Sequence, residues 1–343
     1  MTRSDAATGS GDASSLDAVV GLLGEVETLM HRLATEQGGE ALGAIVGEHL
    51  DAGGKRLRAR LALAAIEALG GDASGAIGWG AACELLHNAT LVHDDLQDGD
   101  RLRRGKPTVW VQHGVAQAVN AGDLLFLAPL LAIDALDVSA ETRWRLSRAL
   151  ALRGSAVIRG QADELSMALE GRTEPTTYLQ TVIGKTSGLF ELPVEGAAIL
   201  CGRSPDDAAR LACGFRPLGV LFQLQDDVLD LYGDKGRDAP GADLREGKIS
   251  ALIVEHLTLV PGERSWLIAL LKKPRHATGD HEVRDAMARF RRSGALRAVC
   301  DRIEHEARAV RDAGVFVEQP RLGSLARALV ATVLGPIRMV LEE

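Results

Sequence analysis

The sequence predicts an all-α protein, and three observations carry that prediction. Apolar residues recur at intervals of three and four from Leu16 through Val19, Val20, Leu23, Val26, Met30 and Leu33, one face of an amphipathic helix. Ala and Leu dominate, while runs of β-branched residues stay short. No stretch sustains the apolar/polar alternation of a half-buried strand.

Taken in order along the chain, residues 1–15 (MTRSDAATGSGDASS) are small and polar and contain no apolar run. They are expected to form a disordered N-terminal tail rather than a signal peptide. Residues 16–343 are expected to be one all-helical domain. The stop signals at Gly53-Gly54, Gly70-Gly71, 105–107, 171–175, 233–241 and 274–279 are short, and none separates segments of different composition. The charged stretch 274–294 (PRHATGDHEVRDAMARFRRSG) reads as solvated helix and loop. The longest clean apolar run, 124–133, is shorter than the ~20 residues a bilayer demands, so no transmembrane segment is expected.

Composition narrows the function. A net charge of −8 and 3% aromatic residues leave neither the basic face nor the stacking platforms of a nucleic-acid binder. Cys83, Cys201, Cys213 and Cys300 are far apart, form no CxxC pair and read as reduced thiols at small core positions of a cytoplasmic protein.

The chemistry is concentrated in residues 91–107, LVHDDLQDGDRLRRGKP, where four aspartates run into four bases. On a helix Asp94 and Asp98 stand one turn apart on one face with Asp95 beside them. Carboxylates so placed repel each other, and Mg²⁺, which takes oxygen ligands and completes its shell with water and phosphate, removes that cost. A single such cluster is equally a solvated acidic helix end. A second copy, Asp226, Asp227 and Asp230 in FQLQDDVLDLYGD, favours the metal reading: two such helices facing each other would hold several Mg²⁺ ions on a diphosphate. In GGKRLR (53–58), a glycine turn is expected to open a helix with Lys55 and Arg58 on one face, and Arg103 and Arg104 follow the first cluster. Alone each basic pair is surface; beside paired acidic motifs they make a two-diphosphate site. The GKT at 184–186 is not a P-loop, because the earlier glycine falls on Leu179, although Lys185 and Thr186 on a helix can reach a phosphate.

Between residues 50 and 248 the segments GGKRLR, LLHNATLVHDDLQDGDRLRRGKPTVW, NAGDLLF, GKTSGLF, FQLQDDVLDLYGD and DLREGK follow an order and spacing that resembles the trans-isoprenyl diphosphate synthases, or polyprenyl synthases. The resemblance implies an isoprenoid synthase-type helical bundle around a deep central cavity, usually a homodimer, with both aspartate motifs at the mouth. It implies Mg²⁺ at Asp94, Asp98, Asp226 and Asp230, supported by Asp95 and Asp227. Arg103, Lys185, Thr186, Gln223 and Lys248 would meet the allylic diphosphate, and Lys55, Arg58, His87 and Arg104 the isopentenyl diphosphate. Membrane contact would be at most transient, for product release. Where many relatives carry GK after the second aspartate motif this chain has GRDAPGAD, which leaves Arg237 a doubtful substitute.

The activity so implied is head-to-tail condensation of isopentenyl diphosphate with an allylic diphosphate. Ala89 and Thr90, five and four residues before Asp94, are small where a bulky aromatic would close the channel, so a geranylgeranyl or longer product is expected. Phe126 is an alternative floor from another helix. The competing readings are a farnesyl diphosphate synthase, a terpene cyclase, a phosphohydrolase built on His93-Asp94, and a non-catalytic subunit of a heteromeric prenyl synthase.

Overall fold

The computed structural model describes residues 14–233 and 240–341, and the all-α expectation holds. The helices are α1 Ser14–Asp17, α2 Leu23–Leu50, α3 Leu57–Ala68 and α4 Ile77–Gln97, then, after the short strands β1 Leu102–Arg103 and β2 Lys106–Pro107, α5 Val109–His113, α6 Val115–Asp134 and α7 Ala140–Glu170. There follow α8 Pro175–Val182, a π-helical turn Ile183–Ser187, α9 Gly188–Leu200, α10 Pro205–Cys213, α11 Arg216–Tyr232, α12 Ala242–Glu246 and α13 Ala251–Leu259. The last are α14 Arg264–Leu271, α15 Asp280–Ser293, α16 Ala295–Arg311, α17 Val315–Glu318, α18 Pro320–Leu334 and α19 Arg338–Leu341.

Several boundaries differ from the sequence reading. The first helix begins at Ser14, inside the expected tail, whose residues 1–13 lie outside the described residues, as does Arg237. The face begun at Leu16 is not one helix: a 3-10 turn, Val20–Leu22, interrupts it and leaves Val20 exposed. Helix α2 kinks at Gly39, where φ is 62°, a conformation that costs glycine little. Strands were not expected; β1 and β2 are too short to show alternation and pair only with each other.

Two compact units divide the described chain, one comprising 14–151, 190–214 and 314–328, the other 152–189, 215–313 and 329–341. In the first, α4 packs against α3 and α6. Its Trp79 is fully buried and donates from Nε1 to the Pro193 carbonyl at 3.0 Å. Gly196 makes room for that indole, since a Cβ there would lie 2.0 Å from the ring. Towards the other end of α4, His93 lies against Gly122 of α6, where a Cβ would come within 2.0 Å of its Nε2. Side-chain-free backbone at two points thus lets α4 sit deep in its unit and fixes the helix that carries the first aspartate motif.

In the second unit α11 packs against α13, α16 and the π-helical turn. Phe215, Phe290, Leu221, Val228 and Ile303 are wholly buried; truncating either phenylalanine to Ala would cost about 3–5 kcal/mol. Buried His256 is fully satisfied, by Ser293 Oγ at 3.0 Å and Glu263 Oε2 at 2.9 Å.

Helix α6, Val115–Asp134, and the segment Pro320–Leu341, which runs from α18 through a 3-10 turn to α19, are long and apolar enough to cross a membrane by length and composition alone, a test that core helices also meet. In the first of these, Ala118, Ala121, Leu125, Ala128 and Ala132 are buried. All four cysteines are free, but Cys213 is exposed rather than a core residue.

Candidate active site

The first aspartate motif ends a helix. Asp94 and Asp95 occupy the last turn of α4 and Asp98 is its C-cap. Carboxylates there oppose a helix dipole whose C-terminal end is already negative, so the arrangement costs stability unless cations answer it. Asp95 is buried and answered within the protein. Arg103 donates from Nε to its two oxygens at 2.9 and 2.8 Å and from Nη2 to Oδ1 at 2.5 Å. Burial pushes the Asp95 carboxyl up against the pull of Arg103. Asp94 and Asp98 remain partly exposed.

The β1/β2 hairpin aims the arginines. Leu102 pairs with Pro107 and Arg103 with Lys106, so Arg104 and Gly105 alone form the turn. Their φ values of 54° and 76° are both positive, as a type I′ turn requires. The left-handed conformation is routine for glycine and costs arginine about 1 kcal/mol. Thr108 Oγ1 and Trp110 Nε1 tie the hairpin base down by donating to the Asp100 carbonyl at 2.8 and 2.7 Å. Arg103 thereby faces Asp95, while Arg104 lies against Gly54, where a Cβ would come within 2.7 Å of its Nη1.

The GGKRLR segment differs from expectation. Helix α3 begins only at Leu57, so Lys55 precedes it and does not share a helical face with Arg58. The intervening Arg56 is the N-cap residue with φ 47°. It holds the loop by donating to Glu27 at 2.8 Å and to the Leu50 carbonyl at 2.7 Å. Arg58 is buried, with its guanidinium carbon 4.8 Å from the Phe190 ring centroid, and burial lowers its pKa to about 10, leaving it charged at neutral pH. Lys55 and Arg104 are exposed and make no hydrogen bond or ion pair among the described residues.

The field of these cations registers on two imidazoles. Burial, then Arg58, Arg103 and Arg104, depress His87 well below the ordinary histidine range. His49, in the last turn of α2, is pushed down to about 4 by burial and by Arg103 and Arg104, against the side chain of Asn88. Both are neutral at pH 7, first because burial disfavours the imidazolium and second because the neighbouring arginines repel it. Sequence reasoning missed His49; its place four residues before Gly53 is the only local signal. Ala89 is fully buried, and Thr90 Oγ1 donates to the His87 carbonyl at 2.7 Å. The ring of Phe126 lies tilted against that of His93, the residue before Asp94, with centroids 5.5 Å apart.

The second motif sits in α11 and is wired differently. Asp227 is buried and takes three donors: Tyr178 Oη at 2.7 Å and the Ala251 amide at 2.6 Å on Oδ2, and Gln223 Nε2 at 2.9 Å on Oδ1. Burial pushes it up to about 7 even so. Gln223 Oε1 in turn accepts from Thr186 Oγ1 at 3.2 Å. Asp230 Oδ2 accepts the Asp243 amide at 3.2 Å, and Asp226 is partly exposed.

Thr186 and Lys185 belong to the π-helical turn, a form that recurs at functional sites. Glycines seat it: a Cβ on Gly160 would fall 2.2 Å from the Lys185 amide nitrogen, and one on Gly219 would fall 2.3 Å from Ser187 Cα. Lys185 pairs with Glu164 at 2.5 Å, and Lys248 with Glu246 at 3.1 Å and Asp243 at 3.8 Å. Hydrogen bonds join Thr186, Gln223 and Asp227, a grouping the sequence reading did not make, and both lysines meet acidic partners it did not foresee. Tyr178 was also missed, although it is one of only two tyrosines in the chain.

Asp94 with Asp98, and Asp226 with Asp230, offer pairs of carboxylates four residues apart, an all-oxygen set suited to a hard cation. Among the described residues no three ligating side chains converge as a ready-made cage. Mg²⁺ needs none, since it keeps waters and takes phosphate oxygens beside one or two carboxylates, so the residues fit it.

The sequence profile described as polyprenyl synthetase matches residues 40–289. A short chain isoprenyl diphosphate synthase of Methanothermobacter thermautotrophicus is 37% identical over 259 residues, 72% of this chain and 76% of that protein. A geranylgeranyl diphosphate synthase of Mycobacterium tuberculosis is 32% identical over 319 residues, 88% of this chain and 89% of that protein. A solved polyprenyl synthase from Caulobacter crescentus, complexed with calcium and isoprenyl diphosphate, is similar with a TM-score of 0.83 at 26% identity, covering 96% of this chain and 99% of that one.

Proposed function

Because the chain belongs to the polyprenyl synthetase family, we propose that it is a head-to-tail trans-prenyltransferase, condensing isopentenyl diphosphate with an allylic prenyl diphosphate and releasing diphosphate. The observation that carries this reading is the cationic cluster of the first unit: Lys55 and Arg104 exposed and in no ion pair among the described residues, Arg58 buried, and His87 and His49 held neutral among them. Such a field suits a diphosphate.

On this reading Lys55, Arg58, His87 and Arg104 bind isopentenyl diphosphate. Arg103, Lys185, Thr186, Gln223 and Lys248 bind the allylic diphosphate, with Lys185 and Lys248 exchanging their carboxylate partners for phosphate oxygens. Asp94, Asp98, Asp226 and Asp230 hold Mg²⁺, with Asp95 and Asp227 bracing them through the contacts described above. The calcium in the Caulobacter relative supports a hard divalent ion. When bound, Mg²⁺ supplies charge neutralisation of the departing diphosphate. The bases orient that leaving group so that the allylic C–O bond breaks in place, and apolar side chains around the hydrocarbon keep water from the cation until the isopentenyl double bond adds to it. The released diphosphate, held by the same cations, accepts the proton whose loss ends the cycle.

Ala89 and Thr90 favour a geranylgeranyl or longer product, in keeping with the names of relatives; a farnesyl product would place the floor at Phe126. The family match runs across both units and supports treating residues 16–343 as one catalytic domain. A homodimer is supported by Val119, Leu127, Leu130 and Leu131, exposed along one stripe of α6. Free thiols support the cytoplasm, and the buried face of α6 supports a core helix rather than a membrane span.

The test is chain-length analysis of products from the purified full chain given Mg²⁺, isopentenyl diphosphate and, separately, dimethylallyl, geranyl and farnesyl diphosphates. Elongated products, lost on chelation of the metal and in Asp226→Ala, are expected. Folded protein that elongates no primer would sink the reading in favour of the non-catalytic subunit.

A further inference from the structure

We infer that Tyr178 is a positioning residue for the allylic-diphosphate site, its hydroxyl fixing the Asp227 carboxylate, which fixes Gln223 and through it Thr186. The inference rests on the function proposed above. Tyr178 lies on α8, is buried, and is 49 residues from Asp227 in sequence, so only the fold brings the two together. Its Oη donates to Asp227 Oδ2 at 2.7 Å. Both amide groups of Gln223 are engaged in the same chain, Nε2 on Asp227 Oδ1 and Oε1 with Thr186 Oγ1. The amide is therefore oriented: with Nε2 committed to the carboxylate, Oε1 must face Thr186, and Thr186 Oγ1 must spend its hydrogen there. The oxygen lone pairs of Thr186 are left to face whatever else approaches.

The buried ring is held by its hydroxyl as well as by packing. One side of Tyr178 borders a small open groove lined also by Leu179, Val220, Leu224 and Val254. A phenylalanine would fill the same volume, so the hydroxyl is what ties this ring to the second motif. A buried tyrosine hydroxyl needs some acceptor, and any nearby carbonyl would serve that need. Here the acceptor is the middle aspartate of the motif, between Asp226 and the residues that lead to Asp230. Removing a hydrogen-bond partner that stands behind metal-ligating groups, the place Asp227 has on the reading above, typically costs 10–100-fold in metal affinity or activity.

The experiment compares wild type, Tyr178→Phe, Thr186→Val and the double variant of the full chain. Kinetics with geranyl diphosphate and isopentenyl diphosphate give a Michaelis constant for each. Calorimetry with Mg²⁺ and a non-hydrolysable geranyl thiolodiphosphate, without isopentenyl diphosphate, gives affinity with no turnover. Tyr178→Phe is expected to weaken thiolodiphosphate binding and raise the geranyl diphosphate KM by about tenfold. The isopentenyl diphosphate KM should stay the same, and the double variant should be little worse than Thr186→Val. Wild-type affinity in Tyr178→Phe, equal losses for both substrates with a lowered melting temperature, or multiplicative effects in the double variant would each overturn the positioning role. Should wild type itself neither bind the thiolodiphosphate nor elongate, the proposed function fails and this inference with it. A wild type that works beside an unaltered Tyr178→Phe would refute this inference alone.

Discussion

Replacing His49 by Gln tests, through stability and without any substrate, the burial of this imidazole among the cations of the first unit. In the folded chain burial, Arg103 and Arg104 hold His49 at about 4, whereas an unfolded chain returns it to 6.5. Between those values the unfolded state binds the extra proton, so His49 lowers stability progressively as pH falls from about 6.5 towards 4, and has no such effect at pH 7.5. A separation of this size, at about 1.4 kcal/mol per pH unit, amounts to about 3 kcal/mol. For a chain of 343 residues, with an unfolding entropy of about 2 cal/mol/K per residue, that is about 4 °C in melting temperature. Glutamine cannot take the proton. Melting curves of wild type and His49→Gln at pH 7.5, 6.0 and 4.5 should therefore shift in favour of the variant by about 4 °C across the series. A difference that stays constant over that range would refute the reasoning, because it would mean that His49 titrates normally. Inorganic diphosphate, by offsetting the cations that depress His49, should shrink the shift.

Three other outcomes are expected. Gly160→Ala would place a methyl 2.2 Å from the Lys185 amide nitrogen, against backbone that cannot swing away, and should cost about 3 kcal/mol in urea unfolding together with activity. Asp95→Asn keeps the shape but deprives the partly buried Arg103 of its hydrogen-bonded counter-charge; a loss of about 2 kcal/mol in the same assay is expected, and an unchanged midpoint would show the pair to be dispensable. Ala89→Phe should shorten the products seen by chromatography, and an unaltered distribution would move the floor of the channel to another helix.

What could be read from the sequence was whatever local spacing determines. Helix ends at Gly70 and Gly171 follow from glycine's access to positive φ, which both adopt. The aspartate motifs are visible because four-residue spacing is a property of one helix. The kink at Gly39 was hidden, since the helical pattern resumes on both sides of it. The hairpin was hidden too: its strands are two residues long, and its turn uses Arg-Gly in place of the usual Asn-Gly. The π-helical turn depends on Gly160 and Gly219 approaching it from elsewhere in the chain, and nothing within IGKTS announces it. The same limit applied inside the site. Asp95 and Asp227 occupy identical places in identical motifs, yet one is held by a guanidinium eight residues away and the other by a phenol 49 residues away.

Arg104 bears on how this protein would respond to selection. Asparagine in its place would relax the turn backbone by about 1 kcal/mol and, with Gly105, create the most favoured two-residue hairpin loop. It would also relieve the repulsion among Arg56, Arg103 and Arg104. By both measures Arg104→Asn is a stabilising change, and on the proposed reading it removes a substrate ligand. Heat resistance and turnover therefore pull in opposite directions at this one codon. A library screened only for survival at high temperature would enrich the substitution, and its winners would be sturdier proteins that bind isopentenyl diphosphate poorly.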